Sequence, residues 1–346
     1  MISLGLYKAL RDRQLKTAFM KPIGQQVVPV GDVNIDKDSY LIGQVFRCVR
    51  QLKEMSPVTI GRGYTEKYIL NPHQAELKDK IEKAFNKLKK GKDAIIIEGT
   101  GHAGVGSVID FSNADVASLL GSKAIIISGG GIGRSIDEIM LNKALFDLKN
   151  VEILGVIVNK VLPDKYEKIK TTLGKGLANK GIRLLGVVPV QPMLSAPRVE
   201  QIMERLDLRL LCGSESIARR VKTTIVAAME PYNMINYLTD ETLVITSGDR
   251  VDNILVAVSS HLVRDGRSFQ ISGIILTGGL KPNPQIMDLL KKSRIAVLLT
   301  EDDTYKVAGQ IENLICKIQK TDKDKIQEAA NLVNKYVDVE MIINSF

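Results

Sequence analysis

The stretch IIIEGTGHAGVGSVID, residues 95–110, decides how this sequence folds. Its three consecutive isoleucines are β-branched and have no polar alternation, which is the signature of a strand buried on both faces. The strand delivers Glu98 to its end, and Gly99, Gly101, Gly104 and Gly106 follow. Glycines let backbone N–H groups approach an anion closely. A carboxylate at a strand end, beside a phosphate, suits Mg2+ directly or through water. Two readings stand: a phosphate-and-cation loop built on Glu98, Gly99 and Gly101, or a Gly-rich turn beside an ordinary exposed Glu. His102 is either a ligand or acid–base group, or a loop side chain with neither task.

Outward from this stretch, short aliphatic runs alternate with helical patterns up to about residue 205. TAFMKP (17–22) precedes a helix over 36–54. A lysine-rich helix leads into the opening strand. KAIIIS (123–128), EILGVIVNK (152–160) and RLLGVVP (183–189) are separated by helices near 135–148 and 165–180. Near-continuous apolar strands alternating with helices predict an α/β fold with a parallel sheet covered on both faces, and ligands in such sheets sit at the strands' carboxyl ends. The pattern pauses around LDLRLLCGSES (206–216) and a second α/β cycle follows: TTIVAA (223–228), TLVIT (242–246), ISGIIL (271–276) and IAVLL (295–299). The chain thus divides into a domain over 1–205, a smaller one over 206–320, and a charged helical tail over 321–346.

Composition narrows the function classes. Of 346 residues 45% are hydrophobic, only 5% are aromatic and none is Trp, so the core is aliphatic. No apolar run approaches the roughly 18 residues of a membrane span, and the first residues lack a signal peptide's apolar core. Cys48, Cys212 and Cys316 are odd in number and far apart, which fits a reducing cytoplasm and gives no metal spacing. The net charge of +9 raises nucleic acid as a partner. The densest lysine run, residues 77–93, carries an apolar stripe of Leu77, Ile81, Phe85 and Leu88, so its lysines lie on solvated faces. No recognition-helix, zinc or aromatic RNA-binding pattern accompanies it, and neither nucleic acid nor a membrane is expected as a partner.

Four further motifs carry chemistry. SGGGIGRSIDE (128–138) matches a dinucleotide fingerprint only loosely; close packing at a helix entry accounts for it. FMKPIG (19–24) puts Lys21 at a strand end, where an ammonium can neutralise a phosphate or carboxylate. DVNIDKDSYLIG (32–43) offers Asp32, Asp36 and Asp38, and Asp38 stands at a helix entry, where an N-cap role is the alternative. TSGDR (246–250) and LTGGLKP (276–282) end two strands with Asp249, Arg250, Thr277, Gly278 and Gly279. Their N–H groups and Arg250 can receive an anion. Equally, Asp249 can cap the helix, Arg250 can pair with a neighbour, and the glycines can make a tight turn.

Taken in order, Lys21-Pro22, Asp38, EGTGH, GVIVNKV and GVVP resemble dethiobiotin synthetase and its relatives: the P-loop amidoligases and the amino-terminal region of long phosphotransacetylases. The resemblance covers roughly 1–205 and implies a three-layer, P-loop-NTPase-like domain binding ATP and Mg2+. It implies that Lys21 contacts substrate or phosphates as the catalytic candidate, that Asp38 and Glu98 serve the metal, that Asn159 reads the adenine edge, and that Pro189 lies in the turn beside the base. His102 departs from the synthetase-like loop, where glycine would stand. TSGDR with LTGGLKP resembles a DRTGG domain over about 210–320, which implies regulation or dimerisation, hence a homodimer, rather than chemistry. The pairing most resembles BioD-like proteins of the phosphotransacetylase family. About 26 residues follow 320, too few for an acetyltransferase domain of roughly 100 residues, so acetyl transfer by this chain alone is not expected.

The motif GxxxxGK[ST], which supplies the phosphate cradle, the phosphate Lys and the Mg2+-binding hydroxyl, is absent from the sequence. In the resembling family it directly precedes a helix like SLGLYKAL (3–10). Either the start is an internal Met with roughly 15–20 residues ahead of it, or the loop is lost and the protein is a pseudo-NTPase. Uncovering ladder groups at about 1–3 kcal/mol each favours the first. Three functions follow as expectations: a nucleotide-binding regulator of an acetate-metabolism enzyme, impaired in catalysis; an ATP-dependent ligase that activates a carboxylate or carbamate; and an oligomerising adaptor. The two-domain layout favours the first, and weak or no ATP hydrolysis is expected.

Overall fold

The computed structural model describes residues 1–263, 269–314 and 316–346, in two compact units: Met1–Gln191 with Ile318–Phe346, and Pro192–Lys317. Unit 1 runs α1 (Ile2–Asp12), β1 (Thr17–Met20), β2 (Ile23–Gly24), β3 (Val27–Val30), β4 (Val33–Asp36), α2 (Lys37–Val45), α3 (Leu52–Met55), β5 (Val58–Thr59), α4 (Tyr64–Leu70), α5 (Gln74–Lys89) and β6 (Ala94–Ile97). It continues with α6 (Asn113–Leu119), β7 (Ala124–Gly129), α7 (Gly133–Leu148), β8 (Ile153–Val161), α8 (Tyr166–Ala178) and β9 (Leu184–Pro189). Unit 2 comprises α9 (Pro192–Ser195), α10 (Val199–Leu206), β10 (Arg209–Cys212), β11 (Thr223–Val226), α11 (Pro231–Met234), β12 (Thr242–Ser247), α12 (Val251–Leu262), β13 (Ile271–Thr277), α13 (Pro284–Ser293), β14 (Ala296–Leu299) and α14 (Thr304–Glu312). The chain then returns to unit 1 as α15 (Lys323–Tyr336) and α16 (Val339–Ile343).

The aliphatic strands of unit 1 pair in parallel, in two ladders: β1 with β6, and β7–β8–β9. No strand joins the ladders among the described residues, so β6 and β7 each end one. One core forms where β1, α1, α2 and α5 meet, around Phe19, Ile42, Leu77 and Ile81; a second lies under β8, where Val156 and Val158 pack on Ile139 of α7 and Leu173 of α8.

The domain over 1–205 closes earlier in the structure, at Gln191, and the expected tail is part of unit 1. Ile326 and Ala329 of α15 are buried in the same core as Leu4 and Tyr7 of α1. Gly5 permits the approach: a Cβ there would lie 2.4 Å from the carbonyl oxygen of Ala329. Beyond α15, Asp338 N–H donates to the Leu185 carbonyl (2.8 Å), so the C-terminal segment also meets β9.

The helix expected over 36–54 is interrupted. α2 ends at Val45, Arg47 takes a left-handed φ of +57°, and α3 starts at Leu52. Cys48 N–H donates to the Gly43 carbonyl (2.9 Å), which satisfies an end carbonyl of α2 and turns the chain. The β3–β4 hairpin, closed through Gly31 at φ +58°, is also unforeseen, because Pro29 argues against a strand there.

In unit 2 the order is β10–β14–β13–β12–β11, parallel except for β10. Alternate residues face alternate helices: Val244, Ile274 and Val297 pack with Ile254 of α12 and Leu290 of α13, whereas Leu243, Ile245, Ile275 and Leu298 pack with Ile202 of α10 and Val307 of α14. This is a three-layer α/β/α domain.

Candidate functional site

Register builds the site. Met20 stands opposite Ile97 in the β1–β6 ladder, and Glu98 N–H extends it by donating to the Met20 carbonyl (2.8 Å). The next side chains out of the two strands, Lys21 and Glu98, therefore arrive together. Lys21 N–H donates to the Met55 carbonyl (2.8 Å), which fixes the lysine's backbone.

The third contributor comes from the hairpin. Asp36 ends β4, and it is Asp36 rather than Asp38 that caps α2: its Oδ1 accepts from Asp38 N–H at 2.8 Å. The Asp38 carboxylate meets Lys21 Nζ directly. The ammonium also lies 3.3 Å from Glu98 Oε1 and 3.6 Å from Asp36 Oδ1. Lys21 is buried, at 5% exposure. Burial alone would favour the neutral amine, but Glu98, Asp38 and Asp36 outweigh it and hold the group above the ordinary lysine range. One ammonium thus faces three carboxylates. The Asp38 and Glu98 side chains keep 22% and 25% exposure, so solvent and small ions reach them, whereas Asp36 at 1% is sealed.

The loop after Glu98 is tightly tied. A Cβ on Gly99 would sit 2.6 Å from Asn113 Oδ1, and Asn113 Nδ2 donates to the carbonyls of Thr100 (2.9 Å) and His102 (2.8 Å). Gly101 needs its left-handed φ of +67°. The N–H groups of Gly99, Thr100 and Gly101 donate no hydrogen bond among the described residues. His102 Nδ1 accepts from Gly104 N–H at 3.2 Å, a turn-making task.

Asn159 and Pro189 stand at the carboxyl ends of the adjacent strands β8 and β9. Asn159 Oδ1 accepts from the N–H of Lys160, which itself adopts φ +59°. Pro189 borders a cleft of about 170 Å3 completed by Gln191 and, from α15, Glu328 and Asn331. The structure thus brings Lys21, Asp38 and Glu98 into contact. No hydrogen bond or ion pair joins them to Asn159 or Pro189 among the described residues. Asp36 belongs to the cluster although the sequence assigned it nothing; its position at the hairpin end was the available signal.

No group of three or more His, Cys, Asp or Glu side chains among the described residues is arranged as a metal site. The donor chemistry still fits Mg2+, which takes one or two carboxylates and completes its shell with water and phosphate oxygens. Asp38 and Glu98 are the carboxylates that would hold it.

In unit 2 the glycine amides are occupied. Gly278 N–H donates to the Asp302 carbonyl (2.9 Å) and Gly279 N–H to that of Thr300 (2.8 Å). Both glycines are left-handed, and a Cβ on Gly279 would lie 2.1 Å from Glu301 Oε2. Thr277 Oγ1 is 2.7 Å from Thr304 Oγ1, in the interior. Arg250 forks onto Asp252 (3.0 and 2.9 Å) and donates to the carbonyls of Ala228 and Met229. Asp249 is exposed and does not cap α12, whose first turn has no side-chain cap. The motif ties the ends of β11, β12, β13 and β14 together, and the Gly278 and Gly279 amides are taken up by that task.

Fold and site define an α/β protein with a P-loop-NTPase-like first domain and a second α/β domain of the DRTGG type. A family model described as an AAA domain matches residues 1–198, and the chain belongs to that family. A DRTGG domain model matches residues 201–314. Among curated proteins, the chain is similar to phosphate acetyltransferases: 28% identical over 351 residues to that of Pseudomonas putida (97% of this chain, 48% of the relative) and 26% over 361 residues to that of Synechocystis (99% and 49%). The phosphate acetyltransferase of Nitratidesulfovibrio vulgaris is 28% identical over 347 residues (97% and 48%). The chain spans about half the length of the curated relatives it matches, and corresponds to their amino-terminal half. Two solved structures show weak likeness. The CBS and DRTGG domains of the Clostridium perfringens pyrophosphatase regulatory region, complexed with diadenosine tetraphosphate, give a TM-score of 0.30 at 16% identity, covering 56% of this chain and 78% of that one. The MinC:MinD complex of Aquifex aeolicus gives 0.35 at 15%, covering 56% and 76%. Neither score carries an argument about this chain. No described helix is long and apolar enough to cross a membrane.

Proposed function

We propose that the chain is a cytoplasmic regulatory protein that binds an adenine nucleotide with Mg2+ through unit 1, and that it acts on a phosphate-acetyltransferase-type enzyme. The observation that carries this reading is the convergence of buried Lys21 with solvent-reachable Asp38 and Glu98 at two paired strand ends, beside three backbone amides without partners. Mg2+, when bound, would neutralise phosphate charge and link it to Asp38 and Glu98. Lys21 orients these two carboxylates. Asn159 and Pro189 are the proposed base-side residues. Similarity to phosphate acetyltransferases over nearly the whole chain supports the link to acetyl-transfer metabolism.

Regulation is favoured over catalysis because the lysine's charge is engaged by carboxylates and is not free to stabilise a transferred phosphoryl group. The test is adenylate binding by the full chain and its Glu98→Gln variant, with turnover followed alongside. Saturable binding that Glu98→Gln weakens at least tenfold, with little turnover, is expected. Turnover that requires an added carboxylate or amine would establish the ligase instead, and absence of adenylate binding would leave the adaptor.

A further inference from the structure

An open cavity of unit 1 lies away from Lys21. It measures about 380 Å3 and is lined by Lys8, Arg11 and Asp12 of α1, Val45 at the end of α2, and Phe46 and Arg47 just beyond. That volume falls within the roughly 300–1,000 Å3 of small-molecule pockets.

Its charges do not cancel. Lys8 Nζ is spent on Asp12, at 3.0 and 2.7 Å from the two carboxylate oxygens. Arg11 uses one N–H on the Phe46 carbonyl (3.3 Å), rests 5.8 Å from the Phe46 ring centre and lies beside the Tyr7 hydroxyl, with no carboxylate paired to it among the described residues. Arg47 forms no hydrogen bond or ion pair among the described residues. With Asp12 answered by Lys8, two guanidinium groups remain uncompensated above the apolar surface of Val45 and Phe46.

Arg47 also occupies a costly place. It is the residue just past the end of α2, at φ +57°, where glycine is favoured and an L side chain strains the backbone. The turn sets the guanidinium at the cavity rim; seven other non-glycine residues share a positive φ among the described residues, so it is the placement of the charge, not the strain, that bears on a ligand.

We propose that this cavity binds a small phosphate ester, its dianion forked by Arg11 and Arg47 and its organic part against Val45 and Phe46. Arginine's planar fork suits phosphate oxygens, and the apolar wall favours an ester over bare phosphate. The site shares no residue with Lys21, Asp38 or Glu98, so its failure would leave the nucleotide reading untouched.

The test is calorimetric titration of the full chain with phenyl phosphate and with inorganic phosphate at matched ionic strength. Phenyl phosphate is expected to bind saturably and more tightly than phosphate. Arg47→Gly is expected to weaken phenyl phosphate at least tenfold without lowering the melting temperature, because glycine relieves the left-handed turn; Arg47→Lys should retain part of the affinity. Absence of saturable phenyl phosphate binding, or unchanged affinity in Arg47→Gly, would overturn the proposal.

Discussion

At the scale of single residues, Lys21 is the centre of the site. A buried ion pair broken on one side leaves its partner's charge uncompensated, at about 3–5 kcal/mol. Lys21→Met leaves three carboxylates facing one another, so a loss in that range is expected in the urea midpoint of unit 1. The lysine's charged form is favoured in the fold, so its stabilisation is complete below the ordinary lysine value of 10.5 and is lost only as pH rises beyond it. Lys21 and Glu98 were legible in the sequence because each follows an aliphatic run that reads as a strand, and parallel register sets strand ends side by side; the isoleucines of β6 are only half-buried, not covered on both faces as their run predicts. Asp36 was not legible, because choosing the α2 cap between Asp36 and Asp38 depends on where the hairpin ends. Arg47 was not either, since no glycine marks its turn.

At the scale of elements, α1 and α15 make a contact that no local pattern reveals. Gly5→Ala sets two effects against each other. Helix propensity favours alanine by about 1 kcal/mol. Against it, the new Cβ would fall 2.4 Å from the Ala329 carbonyl oxygen, a backbone atom that cannot step aside. Overpacking of that kind costs about 1–3 kcal/mol, so a net loss of unit 1 stability is expected in chemical denaturation. A gain would mean that α15 packs more loosely than described. In unit 2, His261 on α12 accepts from Ile271 N–H of β13 at 3.2 Å. Desolvation, helped by the Arg219 charge, lowers its pKa below the ordinary 6.5. The neutral ring is the folded form, so its stabilisation is full above the ordinary value and lost as pH falls through the depressed one. Hydrogen exchange of the β13 amides is expected to quicken beyond its intrinsic pH trend between about pH 7 and pH 5, and His261→Asn should remove the excess. The alternating faces of β12, β13 and β14 were readable as apolar runs. The antiparallel β10 was not, because its four residues sit where the hydrophobic pattern pauses.

At the scale of the whole molecule, the chain joins an AAA-family domain to a DRTGG domain, and its last helices belong to the first of them. The order of strand and helix made this two-domain α/β plan legible. The return of 318–346 to unit 1 was not legible, because it rests on contacts more than 300 residues apart, such as Arg13 with Glu340 at 2.7 Å. The DRTGG residues join strand ends, and the nucleotide proposed for this molecule is assigned to unit 1. The carboxylates around Lys21 give that proposal its most direct test. Asp38 and Glu98 would repel a triphosphate alone, and a bridging divalent cation would relieve that repulsion. Titration of the full chain with ATP by calorimetry, with and without Mg2+, is predicted to show saturable binding only with the cation, accompanied by weak hydrolysis at most. ATP binding of equal strength without Mg2+, or none with it, would contradict the account.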